Sequence, residues 1–353
     1  MYTVLARAES SIPHARMNNA TRTDQRPIHI NTDQPNFRIL QWPAVVKPRM
    51  RNYHSVMASH PLATAIGNTI GATLHPQPAA RVHGGSINEC YRWEANSGPV
   101  FVKVAPAQSR DMFAAEAAGL EVLKSANAVR VPQVLGLGTT TDSAWLALEW
   151  IQSGPNASFR KSDSILGEQL ARQHRATHTA FGWSRNNTIG STPQLNDWDA
   201  SWTKFFRERR LRYQLDLTVS NGYGGGQLHK RGEVLLDNIS QFFSTYHPVP
   251  SLLHGDLWGG NRLTDDQGQP VIFDPAVNYG DREADLAMTQ LFGGFGADFY
   301  DAYAVAWPLD PEAHTRVDLY NLYHVLNHLN LFGEGYRSQA MSLIDSLLAH
   351  LGH

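Results

Sequence analysis

Asp256 and Asn261 stand five positions apart in the segment Leu252-Leu253-His254-Gly255-Asp256-Leu257-Trp258-Gly259-Gly260-Asn261. Asp274 follows thirteen positions later, at the end of the apolar run Val271-Ile272-Phe273. Moving a phosphoryl group from ATP to a hydroxyl needs a carboxylate beside the attacking oxygen. It also needs hard oxygen ligands for the magnesium ion that neutralises the phosphates. On that chemistry Asp256 is the candidate base, and Asn261 and Asp274 are the candidate metal ligands. The glycine-containing loop keeps base and first ligand together, and the strand end sets the second carboxylate opposite them. The order His-x-Asp-x(4)-Asn followed by Asp is that of kinase catalytic loops. His-Gly-Asp by itself is as easily a turn with a capping aspartate; the weight comes from independent parts coinciding.

Three upstream segments supply such parts. Lys103 lies in the apolar β run Val100–Val104, and a lysine flanked by buried positions needs an anionic partner. As a kinase lysine it contacts the α- and β-phosphates and pairs with a helix glutamate; Glu116 is the choice and Glu121 the rival. Without the other parts, Lys103 would read as a solvated edge-strand residue. Gly84, Gly85 and Ser86 sit at a strand-to-strand turn ahead of that lysine, where glycines let the backbone approach phosphate oxygens. Alone, they would be a hairpin turn. Glu149, Trp150, Ile151 and Gln152 end the last strand before the helical part and would lie along the adenine, their backbone groups reading its edge; a plain linker strand is the alternative.

These residues need a scaffold, and the hydrophobic pattern gives one. Short β-type runs cover Arg81–Gly85, Glu89–Ala95, Val100–Val104, Gln133–Thr139 and Ala144–Ile151, broken by one helix over Ser109–Ser125. After Gln152 helical spacing dominates: Ser164–Ala176 (with Ser162 or Asp163 as N-cap), Trp198–Leu217, Gly232–Phe243, Arg282–Phe292, Thr315–Leu331 and Arg337–Leu351. Leu252–Asp274 reads as a loop and a hairpin turning at Asp266-Gln267-Gly268. The expected fold is α+β and two-lobed: a β-rich lobe over residues 57–151 and a helical lobe over 152–353. Residues 1–56 lack a sustained apolar period and read as a disordered extension, or as sequence upstream of a start near Met57.

Composition narrows the classes. Thirty basic and thirty-two acidic side chains among 353 residues give a net charge of -2, against the basic surplus of a nucleic-acid binder. No run approaches the ~18 apolar residues of a membrane span. One cysteine, Cys90, excludes an internal disulfide and suits the cytoplasm; it is expected to face the underside of the glycine-turn hairpin. His174 and His178 at i, i+4 lack a third ligand and read as helix-face histidines. Trp198, Trp202, Phe205 and Phe206 read as core, and Arg207, Arg209, Arg210 and Arg212 as a solvated or ion-paired helix face.

The chain resembles the fructosamine kinase (ketosamine-3-kinase) family from about Met57 to the C-terminus. The resemblance rests on Gly84-Gly85-Ser86-Ile87-Asn88, Phe101-Val102-Lys103, Phe113-Ala114-Ala115-Glu116-Ala117 and Phe181-Gly182-Trp183. It continues in Ile189-Gly190 with Thr192-Pro193-Gln194, His254-Gly255-Asp256-Leu257-Trp258 with Gly260-Asn261, and Asp274-Pro275-Ala276. Tyr279-Gly280-Asp281-Arg282-Glu283 and Asp285-Leu286-Ala287-Met288 complete it. It implies a protein-kinase-like fold, ATP and Mg2+, and phosphorylation of the sugar 3-hydroxyl of free or protein-bound ketosamines. The product then breaks down and frees the amine, a deglycation. The resemblance makes Asp256 the proton acceptor and Asp285 a brace for the catalytic-loop backbone. Asn278 stands where family members commonly have an aromatic, and Ser86 where some have a cysteine, so a disulfide-linked dimer through that position is not available and a monomer is expected. Two other readings stay open from the residues: a kinase for another hydroxylated amine such as an aminoglycoside, and a nucleotide-binding regulator without turnover.

Overall fold

A computed structural model describes residues 59–82, 88–154 and 159–353. The extension expected at residues 1–56 and the turn carrying Gly84, Gly85 and Ser86 lie outside these residues. All the described residues belong to one compact unit.

Helix α1 (Ser59–Ile70) precedes an antiparallel sheet of β1 (Ala80–Val82), β2 (Glu89–Ala95), β3 (Gly98–Pro106), β4 (Val134–Thr139) and β5 (Ser143–Glu149), in the order β1-β2-β3-β5-β4. Strand periodicity decides what each face of β3 does. Val100, Val102 and Val104 are buried on one face with Trp93, Trp145 and Ile66 of α1. Phe101 and Lys103 take the other face. In register, Lys103 lies between Cys90 on β2 and Leu146 on β5. Helix α2 (Arg110–Ser125) crosses that face, burying Phe113, Ala117, Leu120 and Leu123 with Leu146 and Leu148 of β5. The spacing of those four residues is the amphipathic stripe of a core-facing helix.

The rest is mostly helical: α3 (Phe159–His174), the hairpin of β6 (Asn187–Ile189) and β7 (Thr192–Gln194), then α4 (Trp202–Phe205), which runs through a π-helical turn over Phe206–Arg212 into α5 (Tyr213–Ser220). Helix α6 (Gln227–Asn238) follows. Four short strands, β8 (Ser251–Leu253), β9 (Arg262–Thr264), β10 (Pro270–Ile272) and β11 (Asn278–Gly280), pair as β8 with β11 and β9 with β10. Helices α7 (Arg282–Leu291), α8 (Ala297–Ala306), α9 (Ala313–Phe332) and α10 (Arg337–His350) end the chain.

Several expectations are corrected. Helix α3 starts at Phe159, so Ser162 and Asp163 lie inside it and cap nothing. Both are buried against β9 instead: Thr264 donates to the Ser162 hydroxyl at 2.8 Å, and Asp163 pairs with Arg262 and accepts from the Gly296 N–H. A residue type that caps helices serves a tertiary donor equally well. Helix α8 has no sequence forecast, because Gly293, Gly294 and Gly296 punctuate the chain before it. It lies so close to α3 that a Cβ on Gly167 would stand 2.2 Å from the Phe299 carbonyl oxygen. Trp202, Phe205 and Phe206 are core, but Trp198 is 42% exposed and stacks on His178 at 4.2 Å. His178 itself lies beyond the end of α3.

Candidate active site

Lys103 is almost fully buried, and two carboxylates meet it: Glu116 of α2 at 2.7 Å and Asp274 at 2.5 Å. Burial pushes the ammonium toward neutrality, but Asp274 and Glu116 outweigh it and hold the lysine charged, above its ordinary range. The rival glutamate, Glu121, is exposed on the same helix. Asp274 adopts φ +58°, the left-handed region rarely used outside glycine; such conformations concentrate where a side chain must be aimed.

The loop bearing Asp256 is fixed from behind. Asp285, near the N-terminus of α7, accepts the backbone N–H of His254 at 2.7 Å and of Gly255 at 2.8 Å. Its Oδ2 also meets His174 Nε2 at 3.1 Å, and the other nitrogen of His174 bonds the Tyr303 hydroxyl at 2.8 Å. Burial would raise the Asp285 carboxyl, yet His174 and these N–H donors hold it below the usual range. His254 accepts the Asp256 N–H at Nδ1 and so donates through Nε2 to the Phe273 carbonyl at 2.9 Å. One neutral imidazole thereby joins the Asp256 loop to the segment that carries Asp274. Gly255, at φ +81°, is required there: a Cβ would stand 2.1 Å from the Ala276 carbonyl oxygen.

Asn261 donates to the Asp256 backbone carbonyl at 2.8 Å and to its carboxylate at 3.1 Å. That turns the Asn261 carbonyl oxygen into the group left for a cation. Asp256, Asn261 and Asp274 line one cavity of about 350 Å³ with Lys103 and Glu116. Burial first, and the charge of Asp274 second, push the Asp256 carboxyl up to about 7 despite the opposing bond from Asn261. Three carboxylates against one ammonium leave the cavity short of positive charge, and its donors are hard oxygens. This donor set fits a magnesium ion.

A second cavity, of about 270 Å³, shares Cys90 and Asp274 with the first. It is more apolar, lined by Phe101, Leu148 and Phe273, with Glu149, Trp150 and Ile151 on its edge. Gln152 is not part of its lining. The Gln152 carbonyl accepts the Asp266 N–H, and the Glu149 N–H is given to the Gln133 carbonyl. The Glu149 carboxylate pairs with Arg130 at 2.7 Å. Of the four linker residues, Glu149, Trp150 and Ile151 border this cavity and Gln152 does not. Cys90, buried beside Lys103, has its thiol pushed up to about 11 by burial, which makes it a poor nucleophile.

The first cavity is also walled by Thr188, Ile189 and Gly190 of the β6–β7 hairpin, by Trp258, and by His328 and Phe332 of α9. Sequence reasoning assigned these no role. The strings Ile189-Gly190 and Thr192-Pro193-Gln194 were the signals available for the hairpin, and α9 offers none, because its cleft-facing residues share the helical period of its core. Asn278 is buried and bonds the Ala276 carbonyl, and it does not line the first cavity. Arg210 is buried too, against the expectation of a solvated face. Asp281, Arg282 and Glu283 are structural: Asp281 accepts from Tyr320 at 2.5 Å and Tyr246 at 2.9 Å, and Glu283 pairs with Arg316.

Comparison with known proteins fits this geometry. The family model described as "Fructosamine kinase" matches residues 58–350. The "Probable ketoamine kinase" of Synechocystis sp. is 42% identical over 288 residues, 81% of this chain and 96% of that protein. The chloroplastic "Protein-ribulosamine 3-kinase" of Arabidopsis thaliana is 42% identical over 273 residues, 76% of this chain and 82% of that one. A crystal structure named "putative fructosamine-3-kinase" from Thermobifida fusca aligns with a TM-score of 0.73 at 32% identity, covering 84% of this chain and all of that one.

Proposed function

The chain belongs to the fructosamine kinase family, and from that premise we propose that it transfers the γ-phosphoryl group of ATP to the 3-hydroxyl of ketosamines of the ribulosamine or fructosamine type. The observation that carries this reading is the convergence of Lys103, Glu116 and Asp274 in direct contact, in one cavity with Asp256 and Asn261.

In this mechanism the adenine occupies the apolar cavity against Trp150 and Ile151, and the phosphates reach Lys103. Gly84, Gly85 and Ser86 are the proposed phosphate-binding glycine segment. Asn261 and Asp274 would hold Mg2+, which supplies charge neutralisation at the phosphates. The sugar lies between Trp258 and the β6–β7 hairpin, with its 3-hydroxyl at Asp256. The bond from that oxygen to the γ-phosphorus forms as the bond to ADP breaks, and the hydroxyl proton passes to the Asp256 carboxylate. The 3-phosphate product then decomposes and releases the amine, whether a small molecule or a protein lysine. Residues 57–151 act as the nucleotide-side lobe and 152–353 as the catalytic and acceptor lobe. Among the described residues no helix is long and apolar enough to cross a membrane; we place the enzyme in the cytoplasm, as a monomer.

The deciding experiment is magnesium-ATP turnover on ribulosyl-lysine and fructosyl-lysine, with product mass recorded. A gain of one phosphoryl group on either substrate is expected. ATP consumption on neither, with turnover on an aminoglycoside, would replace this substrate class.

A further inference from the structure

Arg210 is buried in the π-helical turn Phe206–Arg212, and among the described residues no carboxylate pairs with it. Buried Arg316, by contrast, has both Glu283 and Asp310. A guanidinium out of water without a counter-charge is costly, and π-helical turns recur at functional sites. The acceptors that meet the Arg210 fork are neutral. It donates to the Leu195 carbonyl at 2.6 Å, the Arg209 carbonyl at 3.2 Å and the Asn196 side-chain oxygen at 2.7 Å. Its face lies over the Phe205 and Tyr323 rings.

From Asn196 a chain of buried amides runs to the cleft. Asn196 donates to Asn187 Oδ1 at 2.8 Å, and Gln194 donates to the same oxygen at 2.9 Å. Asn187 in turn donates to the Val277 carbonyl at 2.9 Å, and Gln194 to the Ala276 carbonyl at 3.0 Å. The Tyr323 hydroxyl, under the guanidinium, donates to Gln194 Oε1 at 2.8 Å. Two of these links, Asn187 to Val277 and Gln194 to Ala276, tie the β6–β7 hairpin, one wall of the cleft, to the segment immediately after Asp274.

We infer that Arg210 is a positioning residue for the acceptor: through Asn196, Asn187 and Gln194 it fixes the hairpin wall relative to Asp274 and the loop of Asp256. The planar fork is what the site needs, since a lysine in its place carries the charge but reaches fewer acceptors. The inference rests on the ketosamine kinase reading for its substrate, and on geometry alone for its structural part.

The test uses Arg210→Met, Arg210→Lys and Asn196→Ala in the full chain, with steady-state kinetics and amide hydrogen exchange run beside the wild type. The expected result is an acceptor KM raised about tenfold or more, an ATP KM within about twofold, and faster exchange in residues 187–194. Asn196→Ala leaves the charge in place, so it decides the matter if the Arg210 variants do not fold. Unchanged acceptor KM and exchange would overturn the inference, as would a parallel rise of both KM values with loss of kcat, which marks general damage. A wild type that turns over no ketosamine defeats the substrate reading, while the exchange comparison still decides the role of Arg210.

Discussion

Asp256 must be ionised to take a proton, yet its surroundings resist the charge. Its carboxyl is pushed up to about 7 by burial and by Asp274, which puts a general base near its working pH. Because the base acts unprotonated, kcat/KM is expected to fall as pH drops through about 7, and a pH–rate profile checks this. A cation held by Asn261 and Asp274 offsets the Asp274 charge, so the acid limb of kcat, measured with saturating magnesium-ATP, should lie lower. Asp256→Asn is expected to bind ATP but turn over at least about 100-fold more slowly; near-normal turnover would remove Asp256 as base. The same shift sets a stability signature. The folded value lies above the ordinary 3.8, so ionising Asp256 costs nothing below about pH 4, and the cost is complete above about pH 7. Asp256→Asn should therefore raise Tm at pH 8 and leave it nearly unchanged at pH 4, read by thermal melts at both.

The β8–β9 loop shows how elements hold a site that its own residues could not. Asp285 on α7 grips two N–H groups of the loop, and His254 ties the loop to Phe273. Asp285→Ala leaves those N–H groups and His174 without their acceptor, at a cost on the order of 3–5 kcal/mol by the scale of broken buried pairs. It should lower Tm and turnover together, although Asp285 touches no substrate in this mechanism. Gly255→Ala attacks the same loop by contact alone, since its Cβ would meet the Ala276 carbonyl oxygen. Loss of turnover with retained ATP binding is expected; an active Gly255→Ala enzyme would show that the loop can move aside. The loop motif was legible in the sequence because its residues are contiguous. The brace at His174 was not, as its partners Tyr303 and Asp285 lie more than a hundred positions along the chain.

At the scale of the whole molecule, one apolar cluster runs from the sheet into the helical part. Phe113, Leu120 and Leu146 share it with Leu252, Leu257, Ile272 and Leu286. Phe113→Ala should therefore cost about 3–5 kcal/mol and shift a single calorimetric transition, and two separate transitions would show that the halves unfold independently. Sequence alone determined the parts list: Lys103 on an apolar strand, Glu116 on an amphipathic helix, Asp256 and Asn261 in a loop, Asp274 at a strand end. Those parts are readable because local periodicity and short spacings reflect the backbone around each residue. Only the tertiary structure decided that Glu116, and not Glu121, meets Lys103, that the Gln152 carbonyl is taken by the Asp266 N–H, and that Arg210 is an interior charge feeding a buried amide chain. Such choices depend on which distant backbone and side-chain atoms reach a group once it has left water, and no local pattern along the chain encodes that.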